Sequence, residues 1–160
     1  DRSSAASDVY KRQACMSELA HYLAEAACRA LVLRGADAVD AGDADGFAAL
    51  FEDQGVLVRP DGSVLQGRAA IAAAYAARDP DRLTQHLISN QQVLVDLGAG
   101  TASARCKVLL WTGRYSTPHT SKGRLADGLV QVGELEDLLA HTAEGWRIRS
   151  RRAQFILYRD

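Results

Sequence analysis

"LTQHLISNQQV", residues 83–93, marks the point where the chain changes its period. Before it, apolar residues recur every three or four positions, as on one face of a helix. From Leu83 on they alternate, as along a strand. In an extended strand His86, Ile88, Asn90 and Gln92 point one way, so His86 and Asn90 are expected on one face of a sheet. At ~3.3 Å per residue they stand roughly 13 Å apart, too far to touch but able to line opposite ends of one cavity. The plainer alternative is that both bond buried backbone or face water.

Working outward toward the C-terminus, period-two patterns predict strands at 84–96, 101–114, 128–140 and 146–158. They are separated by "GAG", by a longer loop containing Pro118, and by "TAEG". Long strands joined in succession by turns make an antiparallel sheet. Toward the N-terminus, Leu19, Leu23, Ala26, Ala30 and Leu33 predict a first helix from Ser17 to Ala41. Gly42 is placed to cap it, and Asp43 to open a short second helix through Phe47, Leu50 and Phe51. Pro60-Asp61-Gly62 then turns a hairpin, and Arg68–Arg78 reads as a third helix ended by Asp79-Pro80-Asp81. Helices first and strands later is the α+β pattern, with one face of a curved sheet packed on the helices.

The chain has 160 residues, most simply one domain able to bury a core without staples. Residues 1–15, "DRSSAASDVYKRQAC", are small and polar and lack the apolar core of a signal peptide. They are expected to be a disordered or non-native extension, with Met16, the sole methionine, opening a single domain over 16–160. Nineteen basic against 20 acidic residues leave a net charge of −1, so no overall field draws the protein to nucleic acid or an anionic membrane. Arg147, Arg149 and Arg151 share a strand face in this reading, but no aromatic residues interleave with them as a nucleic-acid surface would need. Three cysteines without C-x-x-C indicate neither a disulfide framework nor a zinc site, and with no run near the ~20 apolar residues of a membrane span a cytoplasmic protein is expected.

Asp40 lies at i+4 from Ala36 and i+7 from Leu33, so its carboxylate should turn toward the core at the helix end. There it could hold His86 in one tautomer and leave the other ring nitrogen free for a substrate; a frayed acid bonding local backbone is the alternative. An imidazole, with an ordinary pKa of about 6.5, suits acid and base work near neutrality. These residues support metal-free proton transfer without a cofactor. Asn90 would orient a carbonyl or hydroxyl and Trp111 would offer a flat wall, with Phe51 and Tyr75 completing the expected substrate-binding set.

"LRGADAVDAGDADGFAALFEDQGVLVRPDGSVLQGRAAI", "TQHLISNQQVLVDLGAGTASARCKVLLW" and "DGLVQVGELEDLLAHTAEGWRIRSRR" together resemble the SnoaL-like branch of the nuclear transport factor 2-like superfamily. The ordered set of a helix-end D-x-G-D, G-R-x-x-I, H-x-x-x-N, a Glu-Asp strand and G-W-R-I carries the resemblance. It implies a cone, a strongly curved sheet wrapped around N-terminal helices to enclose an apolar pocket, and a homodimer formed through the sheet. In the scytalone dehydratases of this superfamily an Asp ending the first helix and a His opening the "Q-H" strand act together, and Asp40 and His86 match those positions. The dehydratase's second histidine corresponds to the neighbourhood of Trp111 and Thr112, and its tyrosine to Val39; a tyrosine frequent elsewhere in the family is Gly35. Asp137 and Arg151 fall where relatives carry an acid and a base, and a structural ion pair is the reading preferred for them. The resemblance thus implies a lyase or isomerase acting on a small apolar, aromatic or polyketide-like molecule. A non-catalytic ligand-binding or accessory dimer and the small subunit of a ring-hydroxylating dioxygenase are the other readings.

Overall fold

Alanine and leucine run through the first forty residues with no proline and no glycine before Gly35, so nothing stops a helix once it has begun. In the computed structural model, which describes residues 2–160 and side chains from residue 7, helix α1 spans Arg2–Asp40. It begins well before the Ser17 expected from the sequence, and residues 7–23 are exposed on every side. Gly42, at φ +70°, ends it: Gly42 N–H donates to the Val39 carbonyl and Asp43 N–H to that of Ala38, a Schellman closure. Asp43 then caps α2 (Ala44–Ala48), its carboxylate accepting from Gly46 N–H at 2.8 Å.

Phe51 is not helical, as had been expected, but opens β1 (Phe51–Val58). The Pro60–Gly62 turn leads into β2 (Val64–Gln66), followed by α3 (Arg68–Ala76). Four long strands come next: β3 (Arg82–Asp96), β4 (Thr101–Arg114), β5 (Val130–Thr142) and β6 (Gly145–Arg159). The fold is α+β, with one open sheet in the order β2-β1-β6-β5-β4-β3. Neighbours pair antiparallel except β1 and β6, which run parallel, so the sheet is mixed at that one seam.

α1 packs on the sheet through small residues. Ala24, Cys28, Leu31, Val32 and Ala36 are buried, whereas Leu19, Leu23 and Leu33, the stripe picked out by periodicity, face outward. Both stripes fit a 3.6-residue repeat, and the slimmer one lets the helix lie close on Val93, Ala104 and Cys106 of the same core. Burial pushes the thiols of Cys28 and Cys106 up to about 11, so both behave as small apolar groups.

Two of the sheet's register shifts decide which side chains of β3 and β6 line the site. Ser89 pairs with Lys107 and Gln92 with Arg105, leaving one residue too many in β3, and Asn90 there adopts φ +52°. Leu138 pairs with Ser150 and Leu139 with Ile148, making Arg149 one of two extra residues in β6; the other, Ile156, falls between the Val132–Leu157 and Gly133–Phe155 pairs. Beyond the shifts at Asn90 and Arg149 the inward parity reverses: Ile88 and then Val93 face the interior of β3, Ile148 and then Arg151 that of β6. Arg147, Arg149 and Arg151 therefore do not share a face; Arg149 turns out to meet Glu52 at 3.0 Å while Arg151 is buried.

Candidate active site

Asp40 is the last residue of α1, and its carboxylate reaches the start of β3. Oδ1 accepts from Thr84 Oγ1–H at 2.8 Å and lies 2.5 Å from His86 Nδ1, while Oδ2 accepts from His86 backbone N–H at 2.7 Å. Burial alone would raise this carboxyl, but the hydrogen bonds from His86 and Thr84 and the nearby imidazole outweigh it and hold it below its ordinary value. An ionised Asp40 only accepts, which places a proton on Nδ1 and leaves Nε2 as the ring nitrogen without a protein partner among the described residues. Both side chains are largely covered, His86 at 22% and Asp40 at 16% exposure, so water competes little for the pair.

His86 lines a cavity of about 490 Å³ between the helices and the inner face of the sheet; Asp40 stands behind it. The wall is mainly apolar, from Val39, Phe47, Leu57, Ile88, Val108 and Leu110. Tyr75 also lines it, its ring 4.5 Å from that of Phe47, and burial raises its phenol pKa so that the hydroxyl stays protonated. On the sheet side Arg151 Nε and Nη2 donate to the two carboxylate oxygens of Asp137 at 2.8 and 2.6 Å, in a fork where both side chains are buried. Burial works against the guanidinium charge, and Asp137 more than offsets it, so Arg151 stays charged. Gly35 makes room for it: a Cβ there would stand 3.0 Å from Arg151 Nη1.

Three expected cavity residues lie elsewhere. Asn90 is exposed at the bulge, because the left-handed residue breaks the alternation that should have carried it inward. Trp111 projects from the opposite face of β4 to Val108 and Leu110 and is 41% exposed. Phe51 is fully buried edge-on against Phe47 at 5.4 Å, within the core beneath the wall. The structure thus brings His86, Asp40, Tyr75, Arg151 and Asp137 to one side of the sheet and separates the rest.

The cavity also gathers Arg59, Arg78 and Arg82, which no sequence motif marks as site residues. Arg59 follows β1 at the hairpin turn, Arg78 follows α3 and Arg82 opens β3. Only the fold brings these element ends together; the sequence signal was two arginines flanking Asp79-Pro80-Asp81. Among the described residues no three His, Cys, Asp or Glu side chains converge as a metal site would need. No described helix is long and apolar enough to cross a membrane.

The model of the SnoaL-like domain matches residues 20–152, a span that includes the helix-end carboxylate, its histidine and most of the cavity lining. The chain belongs to the SnoaL-like domain family. Solved structures share the SnoaL-like architecture at low identity. A candidate scytalone dehydratase from Novosphingobium aromaticivorans superposes with a TM-score of 0.69 at 16% identity, over 93% of this chain and 91% of that one. A protein of unknown function from Mycobacterium tuberculosis gives 0.67 at 24% identity, covering 89% and 75%. A ketosteroid isomerase-like protein from Erwinia carotovora atroseptica gives 0.64 at 18%, covering 83% and 96%. At such identities these likenesses establish the SnoaL-like fold alone. No curated protein matches the chain.

Proposed function

We propose that this SnoaL-like protein is a lyase or isomerase that moves a proton within a small, largely apolar substrate, with His86 as acid and base and Asp40 as its positioning partner. The observation that carries this reading is the 2.5 Å contact between Asp40 Oδ1 and His86 Nδ1, which turns a free Nε2 to a cavity with apolar walls. Nε2 takes a proton from the carbon beside a substrate carbonyl, and the imidazolium so formed is stabilised by the carboxylate it already touches. Returning that proton to another carbon isomerises the substrate; returning it to a departing β-hydroxyl releases water and leaves a double bond. Tyr75, which lines the same cavity with its hydroxyl protonated, would donate a hydrogen bond to the oxygen on which charge develops. The names of two structural neighbours, a candidate scytalone dehydratase and a ketosteroid isomerase-like protein, belong to the same reaction class.

Exchange of the α-protons of 2-tetralone in heavy water, followed by proton NMR, tests the reading. The protein should accelerate exchange, and His86→Ala should lower the rate by about 10²–10⁴-fold. Asp40→Asn should lower it as well, while leaving binding of 2-tetralone close to that of the parent. Binding without any acceleration would instead identify a ligand-binding module.

A further inference from the structure

Several guanidinium groups in this molecule have carboxylate partners. Arg68 meets Asp53 and Glu144, Arg105 meets Glu134, Arg149 meets Glu52 and Arg151 meets Asp137. Arg59, Arg78 and Arg82, which line the cavity on the side of His86, make neither a salt bridge nor a side-chain hydrogen bond among the described residues. The acids of the same rim are engaged elsewhere: Asp61 accepts from Ser63 Oγ–H at 2.6 Å, and Asp79 lies 3.4 Å from Arg114. Arg78 lies over the Tyr75 ring at 5.6 Å, and burial, then repulsion from Arg82 and more weakly from Arg59, lowers its pKa against the opposing pull of Tyr75 and Asp40. Asp40 offsets part of the repulsion at Arg78, and Asp61 lies close enough to Arg59 to feel its charge, but among the described residues no carboxylate pairs directly with any of the three, so like charges converge on a half-buried apolar cavity without a bound counterion.

We propose that the missing counterion is the substrate's own: the cavity takes an organic anion, an apolar body bearing a carboxylate that Arg59, Arg78 and Arg82 hold while the body lies along Phe47, Val108 and Leu110. This deepens the proton-transfer reading and rests on it for the location of the site. Planar guanidinium forks match a carboxylate geometrically, and with water largely displaced such hydrogen bonds are strong. Anchoring one end of the molecule fixes which carbon meets Nε2 of His86, so the arginines would select the reacting position as well as the ligand.

The experiment compares 2-naphthoate with its neutral analogue 2-naphthamide by titration calorimetry on the full chain. Naphthoate should bind roughly 10- to 100-fold more tightly at low salt, and added sodium chloride should shrink that advantage. Arg78→Gln combined with Arg82→Gln should abolish the preference, whereas Arg149→Gln, on the outer face, should leave it intact. The melting temperature of the free protein should hold or rise in the double variant, because repulsion is relieved. Equal binding of the two probes, failure of both to bind, a preference that survives the double variant, or a lower melting temperature of the free variant would each overturn the proposal. A naphthoate preference without any 2-tetralone exchange would sink the catalytic reading and spare this one.

Discussion

Asp40 shows how much a single carboxylate can do at a helix end. A negative side chain in the last turn sits badly with the helix dipole, and here that cost is offset by three donors from β3. The consequence for stability follows from the sign of its shift. The folded-state pKa lies below the ordinary 3.8, so the stabilisation is fully present above that value and is lost as pH falls through the folded pKa. Urea unfolding of the parent and of Asp40→Asn, taken in steps from neutrality to about pH 3, should show the variant weaker at neutral pH and the difference closing on the acid side. A difference that stayed constant across that range would mean that Asp40 contributes through shape alone.

Between single residues and the whole sheet, the bulges matter most. The helix caps, the hairpin turn and the two-residue period of the long strands were legible in local sequence, because each depends on neighbours a few positions away. So was the meeting of Asp40 with His86, which needs only a helix end and a strand start to coincide. Asn90 and Arg151 were assigned to the wrong faces because a bulge adds one residue without altering composition, and every side chain beyond it changes sides. The one local hint is that asparagine tolerates the left-handed region better than most residues. Asn90→Val should therefore destabilise the protein by about 1–2 kcal/mol in chemical denaturation, while Asn90→Gly should be close to neutral. If valine were as well tolerated as glycine, β3 would hold its parity without the positive φ.

Across the whole molecule, the outer face of the sheet carries an apolar row that the pairing makes continuous: Leu87 beside Leu109, then Val132, then Leu157. Leu87, Leu157 and the neighbouring Trp111 are exposed. The homodimer implied by the family resemblance would cover this row with the same row of a second copy. Sedimentation velocity should then find a dimer, and Leu157→Lys should yield monomers that keep the fold; monomers at every concentration of the parent would remove the dimer from consideration. The parallel seam of the sheet also fixes when the site can exist. β1 borders β2 on one side, and its other neighbour is β6, with Phe51 against Ile148 and Leu57 against Arg151. On the ribosome, that edge of the first strand stays open until β6 has emerged. A truncated product lacking β6 would keep the histidine and its carboxylate yet lose a wall of the cavity, so ligand binding reports that β6 has joined the sheet.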